Sequence, residues 1–146
     1  EKIISVERNL KLRERGYLII PENKVYRRGK MNMIHGWYYN KYHAAKTVTE
    51  LGDNVFYWHT HGVQSFTKTN YDRQPIIGTG VGALCDLNPV YRRNKPNSWV
   101  NGFMFAYLDK GGLFTAYTPI IIDGKFWWGG KQYNGRKSNL REVCYE

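Results

Sequence analysis

The sequence predicts one α/β domain with a β-hairpin-rich C-terminal half. Residues 31–60 contain a short apolar strand, an amphipathic helix and a second apolar strand, an order that is typical of a parallel crossover unit. Beyond Phe66 the pattern changes to short strands separated by turns that contain glycine, as in antiparallel β-structure. A length of 146 residues suits one domain. Because no repeat or linker divides the chain, we treat residues 1–146 as a single unit.

The N-terminal residues predict a helix followed by two short strands. Residues 2–15 place Ile3, Val6 and Leu10 on one helical stripe with basic side chains around it, and a helix stop follows at residue 16. The next apolar runs, residues 17–20 and 25–27, are separated by a proline-containing turn. We therefore expect an amphipathic helix and then two strands.

The crossover unit begins with a strand over residues 31–34 that ends at His35. Asn40 is the expected N-cap of a helix over residues 41–51, which has an apolar stripe and ends at Gly52. His43 on this helix is expected to be a surface or packing residue.

The strand over residues 54–58 runs into His59 and His61, which are separated by one residue. Because side chains alternate along a strand, both imidazoles should point to the same face. A parallel crossover would bring His35 to the same carboxyl edge, where open α/β sheets place their ligand sites. Imidazoles bind Zn, Fe and Mn. The sequence therefore predicts a metal site made by His35, His59 and His61.

The C-terminal half reads as strands and hairpins. The series Gly78, Gly80 and Gly82 lacks the Lys-Ser/Thr that completes a phosphate loop, so we interpret it as close strand packing. Hairpins are expected around residues 109–112 and around the Asp-Gly turn at residues 123–124. The two tryptophans at positions 127 and 128 could stack on bases, but strand alternation favours packing within a hairpin.

The ordered histidines resemble the C-terminal half of calcineurin-like metallophosphoesterases of phage and bacterial type. Ile34-His35-Gly36 is similar to the family's strand-end His-Gly motif. Trp58-His59-Thr60-His61 is similar to the Gly-His-x-His motif that follows after one helix. The resemblance covers about residues 5–133. It implies part of a layered α/β sandwich, with this chain as the C-terminal half of the domain.

The resemblance also implies a metal-dependent phosphoester hydrolase. His35 and His59 would bind one divalent ion and His61 a second, the ions being Mn, Fe or Zn, which together activate a bridging hydroxide. Gly36 and Gly62 would keep the loops close to substrate, although Gly62 could equally serve a plain turn. Further candidates for substrate binding are two arginines in a polar loop, which could also be simply solvated: Arg92 and Arg93.

Two departures from the family pattern affect these expectations. The earlier motifs Asp-x-His, Gly-Asp and Gly-Asn-His are absent from the sequence. An N-terminal half or a second polypeptide would have to supply those Asp, Asn and His ligands, and the chain alone should not be a competent enzyme. Trp58 stands where the family usually has glycine, so the indole either packs into the core or narrows the site. A single structural zinc held by the three histidines and Cys85 is a weaker alternative.

The basic composition of the chain supports an alternative to the hydrolase. Lys and Arg number 22 against 12 Asp and Glu, a net charge of +10, which indicates either contact with nucleic acid or a solvated basic face. The alternative function is a non-catalytic, basic nucleic-acid-binding or structural protein, for example a virion component. A mean hydropathy of −0.61 and the lack of an apolar run of about 18 residues argue against a membrane span. Two cysteines without a pairing pattern, Cys85 and Cys144, favour a reducing cytoplasm.

Overall fold

The computed structural model describes residues 6–21, 24–71, 73–93 and 95–135. It shows a mixed α/β fold. The longest helix of the described residues has nine residues, and none of those helices is long and apolar enough to cross a membrane. The elements in chain order are α1 Val6–Asn9, β1 Tyr26–Arg28, β2 Met31–Ile34, α2 His43–Leu51, β3 Val55–Tyr57, β4 Gln64–Asn70, β5 Arg73–Gly80, a 3₁₀ turn Val90–Arg92, β6 Phe105–Leu108, β7 Phe114–Tyr117, β8 Lys125–Trp128 and β9 Lys131–Asn134.

The main sheet has five strands in the order β1-β2-β3-β5-β4. β2, β3 and β5 are parallel, and β1 and β4 pair antiparallel at the two edges. The helix α2 connects β2 to β3, so the parallel crossover expected from the sequence is confirmed. The carboxyl ends of the three parallel strands consequently share one edge.

Helix α2 begins two residues later than predicted, so its N-cap is Tyr42 and the prediction of Asn40 is wrong; its first turn is capped from another element. Within the described part of the chain, no side-chain hydrogen bond comes from the N-cap residue Tyr42. Instead, Gln64 of β4 accepts a hydrogen bond from the Ala44 amide at 2.8 Å and donates to the Lys41 carbonyl at 2.9 Å. The predicted stop is confirmed, since Gly52 has a φ of 71° and its amide donates to the Val48 carbonyl.

Apolar side chains are buried on both faces of the main sheet. On the face toward α2, Ile34, Val55 and Tyr57 form a cluster with Val48 of the helix. On the other face, Phe56 belongs to a second cluster that packs against the β6–β7 hairpin; its members include Met31, Val81, Ala106, Phe114 and Ala116. Alternation along β3 therefore serves two apolar layers, which explains why the run over residues 55–58 has no charged side chain and is apolar or aromatic throughout.

Gly78 lets α2 lie directly on β5. A Cβ atom at this position would stand 2.7 Å from the Val48 Cβ and 2.8 Å from the Ala44 carbonyl oxygen. At Gly82 a Cβ would stand 2.4 Å from the Val100 carbonyl oxygen. The interpretation of the glycine series as close packing is therefore confirmed.

The C-terminal strands form two hairpins, β6–β7 and β8–β9. The turn around residues 109–112 is as predicted, and Asp109 accepts a hydrogen bond from the Leu113 amide at 2.8 Å. The Asp-Gly turn also forms, but residues 120–122 form no strand and contribute two isolated bridges, Ile120 with Gly102 and Ile122 with Lys125. The strand partner of β8 is β9, across glycines 129 and 130 with φ values of 56° and 74°. Trp128 packs on Phe105 at 4.4 Å between ring centroids, whereas Trp127 is 65% exposed.

The N-terminal predictions are wrong for residues 10–20, whereas the strand predicted over residues 25–27 is confirmed within one residue by β1. The helix expected over residues 2–15 is limited to α1 in the described residues, residues 10–16 form turns, and Leu10 is exposed. Residues 2–5, with Ile3, lie outside the described range. Residues 17–20 are described and form no strand, and Leu18 is 69% exposed. A short amphipathic stripe is marginal without an apolar surface to cover it, and nothing in the described residues covers Leu10 and Leu18.

Candidate metal site

Main-chain hydrogen bonds join the carboxyl ends of β2 and β3. Ile34 and Tyr57 are paired in the parallel register. Just beyond them, the His35 carbonyl accepts hydrogen bonds from the amides of Trp58 at 2.9 Å and His59 at 2.8 Å. His35 and His59 are therefore held side by side at the edge of the sheet.

The imidazoles of His35 and His59 face each other. Nδ1 of His59 lies 3.1 Å from Nε2 of His35, and the ring centroids are 5.0 Å apart. Two nitrogens that each lie about 2.1 Å from one ion are about 3.0–3.4 Å apart in octahedral or tetrahedral geometry. The same separation also suits a hydrogen bond between two neutral imidazoles. The separation of the two nitrogens therefore matches the spacing of two ligands of one ion, and it matches a hydrogen bond equally well.

Gly36 makes this approach possible. Its φ is +129°, and a Cβ atom there would stand 2.5 Å from the Cβ of His59. A side chain at position 36 would push the two histidines apart. The backbone conformation at position 36 therefore favours glycine, while the approach of a substrate to Gly36 remains a prediction.

His61 lies in a different environment from the pair. The prediction that His59 and His61 share one face of a strand is wrong, because β3 ends at Tyr57 and His61 has a φ of +54°. Alternation applies only to extended backbone. The His61 ring packs against Trp99, with centroids 4.5 Å apart. Its buried Nδ1 has no hydrogen-bond partner among the described residues. His61 as a metal ligand remains a prediction.

A complete two-ion site does not fit the described residues. They contain no group of three or more His, Cys, Asp or Glu that could hold a metal ion, and a bridging carboxylate is needed to join two ions. Cys85 is exposed, and it too belongs to no such group within the described ranges. The chain therefore offers a pair of ligands to which further groups would have to be added.

Trp58 packs away from the pair. Its indole lies against the cluster of Met31, Phe56 and Val81 on the hairpin side of the sheet. It also forms one wall of a cavity of about 310 Å³ beside His35. Of the two alternatives for this departure from the family pattern, the structure shows packing into the core.

His43 contributes more than its position on the helix suggested. Its Nδ1 lies 2.5 Å from the hydroxyl of Tyr57, which is fully buried. Burial lowers the pKa of His43 and raises that of Tyr57. His43 therefore packs, as expected, and it also lines a cavity of about 370 Å³ with Tyr39, Thr60, Gly62 and Ser98. Nothing in the sequence pattern signals this cavity, because it depends on how α2 meets the loop after β3.

The two candidate arginines are placed differently. The Arg92 guanidinium lies over the ring of Trp99, which also contacts His61. Arg93 ends the 3₁₀ turn with a φ of 50° and is exposed. Of the two arginines, therefore, only Arg92 is connected to the candidate metal ligand His61 through side-chain contacts of the described residues. The sequence could not separate the two, because Trp99 is seven residues away in the chain.

Comparison with known proteins provides no relative. No family model matches the chain. No curated protein and no solved structure matches it either. Function must therefore be inferred from the residues and their geometry.

Proposed function

We propose that the chain forms part of a metal-dependent phosphoester hydrolase of the calcineurin-like metallophosphoesterase type. The observation that carries the proposal is the 3.1 Å separation of His35 Nε2 and His59 Nδ1 at the carboxyl edge of parallel strands. The order of motifs in the sequence, His-Gly, helix and His-x-His, agrees with this placement. A sheet covered by α2 on one face and by the β6–β7 hairpin on the other is the contribution that this chain would make to a layered sandwich.

In this proposal the chain's own residues hold and orient one ion. His35 and His59 each donate a nitrogen lone pair, and Gly36 keeps their backbones close. Both imidazoles must be neutral to bind, so metal affinity falls as they become protonated in acid. A bound divalent ion supplies an activated hydroxide and stabilises charge on phosphoryl oxygens. His61 would serve a second ion after its ring turns from Trp99.

The remaining ligands would come from elsewhere. The described residues hold no carboxylate beside the pair that would complete a metal group, so an N-terminal segment or a partner chain would supply Asp, Asn and His groups. The chain by itself is then a ligand-bearing half site. Its +10 charge favours nucleic-acid phosphodiesters as substrates.

The proposal is tested by adding the missing motifs. A polypeptide with Asp-x-His, Gly-Asp and Gly-Asn-His is joined to or mixed with this chain, and hydrolysis of bis-p-nitrophenyl phosphate is measured with Mn²⁺. We expect no turnover from the chain alone, turnover from the combination, and at least a 100-fold loss in the His59→Ala variant because a metal ligand is removed. Turnover that His59→Ala leaves unchanged would contradict the proposal.

A second candidate function is non-catalytic binding of nucleic acid. Its support is the +10 charge of the chain. This candidate requires salt-sensitive DNA or RNA binding that is the same with and without metal. Binding of that kind in a His35→Ala, His59→Ala double variant, together with no hydrolysis in any combination, would favour it.

A further inference from the structure

The backbone of residues 97–100 is fixed along the loop that carries His61. The Val100 amide donates to the His61 carbonyl at 2.8 Å. Next to it, a Cβ at Gly62 would stand 3.1 Å from the Ser98 carbonyl oxygen. Asn97 accepts a hydrogen bond from the Trp99 amide at 2.8 Å and donates to the Leu87 carbonyl at 2.9 Å. Trp99 is therefore placed beside His61 by contacts of the main chain and of the Asn97 side chain, independently of its own side chain.

Trp99 connects His61 to Arg92. The His61 and Trp99 rings meet at 60° with centroids 4.5 Å apart, and the guanidinium carbon of Arg92 lies 4.8 Å from the indole centroid. The Arg92 backbone is held by the 3₁₀ turn, in which its amide donates to the Pro89 carbonyl at 2.9 Å. The three side chains form a continuous contact that ends in a cation.

The Arg92 guanidinium retains free hydrogen-bonding capacity. The four ion pairs formed by described residues do not include it. Its Nη2 reaches only the Pro96 carbonyl at 3.4 Å, which is at the limit of a hydrogen bond. Its Nε is buried without a partner among the described residues and is therefore closed to a ligand from solvent. A guanidinium that stacks on an aromatic ring keeps its in-plane donors available for a carboxylate or phosphate.

The loop around this cation favours an anion. Lys95 is close in sequence, and the acid of the loop, Asp86, accepts a hydrogen bond from the Asn88 amide at 2.9 Å. Stacking of arginine on tryptophan also reduces the side-chain freedom that binding would otherwise remove. Arg92 is therefore pre-oriented, whereas Arg93 is an exposed side chain at the end of a turn.

We propose that Arg92 binds the phosphate group of the ligand on the His61 side of the site and that Trp99 is its positioning residue. The identification of the ligand as a phosphoester rests on the proposed function; the anion site itself does not require metal. Arg92 donates in-plane N–H groups to two phosphate oxygens, and Trp99 holds the guanidinium plane. Arg93 takes no part.

The test is titration of the metal-free chain with inorganic phosphate at low ionic strength, followed by ¹H–¹⁵N NMR of the arginine Nε–H and tryptophan indole N–H signals. We expect saturable shifts at Arg92 and Trp99. Arg92→Ala should weaken binding about tenfold or more, and Arg92→Lys should recover part of it because a charge remains without the planar fork. The matched control Arg93→Ala should change binding less than about twofold. Trp99→Ala should weaken binding, with partial rescue in Trp99→Phe.

Two results would overturn the inference: equal losses in Arg92→Ala and Arg93→Ala, or no saturable shift in the wild-type protein. Each variant's amide spectrum shows whether it is folded, and Arg92→Lys remains informative if Arg92→Ala is not. The outcome is separable from that of the proposed function. If Arg92-dependent phosphate binding occurs while the His35–His59 pair binds no metal, the inference holds and the phosphoesterase proposal fails. If metal binds at the pair and phosphate binding is insensitive to Arg92, the inference alone fails.

Discussion

The four histidines of this chain occupy three different environments. His35 and His59 are exposed and face each other at 3.1 Å. His61 has a buried nitrogen and lies against Trp99. His43 is half-buried and hydrogen-bonded to a fully buried tyrosine. Identical side chains thus have different chemistry, because strand ends, a left-handed turn and a helix start present them to different neighbours.

The environment of His43 makes stability depend on pH. Burial lowers its pKa from the usual 6.5, so between 6.5 and the lowered value the unfolded chain binds more protons than the folded protein. Stability contributed by neutral His43 is therefore present above pH 6.5 and is lost as the pH falls. We expect the free energy of unfolding, measured with urea at pH 8 and pH 5, to fall more steeply in the wild type than in His43→Gln. The variant retains the other three histidines, and an equal decrease in both proteins would contradict this assignment.

Among the elements, those predicted correctly have signals within their own sequence. The stripe and Gly52 predict α2, and the apolar runs on either side predict β2 and β3. The same kind of stripe predicts a helix over residues 2–15, but in the described residues the helix ends at Asn9. An apolar stripe is buried only where a partner surface covers it, and the sequence does not show that surface. The sequence does not predict that Gln64 caps α2, because Gln64 and the capped residue Ala44 are 20 positions apart.

Packing of α2 on β5 depends on the lack of a side chain at Gly78. Gly78→Ala would place a methyl group 2.7 Å from Val48 Cβ and 2.8 Å from a main-chain oxygen, and overpacking of this kind costs about 1–3 kcal/mol. The matched control is Gly111→Ala, whose methyl group would meet nothing closer than 3.4 Å and should change stability by less than about 0.5 kcal/mol. Urea unfolding of both variants measures the difference. Equal free energies of unfolding in Gly78→Ala and Gly111→Ala would contradict this expectation, because they would show that α2 can shift away from β5 at no cost.

For the whole molecule, the parallel crossover is what makes a site predictable from sequence. It brings His35 and His59 to one edge although 24 residues separate them, and that convergence follows from strand, helix and strand order alone. The Arg92–Trp99–His61 contact could not be predicted, because it depends on how a long loop folds back on the sheet. The sequence predicts His61 on the same face as His59, and this is wrong because β3 ends at Tyr57, before its apolar run ends.

The proposed function depends above all on the binding of a divalent ion by His35 and His59 at this edge of the sheet. The most direct measurement is calorimetric titration of the folded chain with Zn²⁺ at pH 7.5, in the wild type and in His35→Ala, His59→Ala and His43→Gln variants. We expect the wild type to bind one ion. Zinc affinity should fall at least about tenfold in His35→Ala and in His59→Ala, and it should be unchanged in His43→Gln. Equal zinc affinity in the wild type and in both His35→Ala and His59→Ala would contradict this expectation.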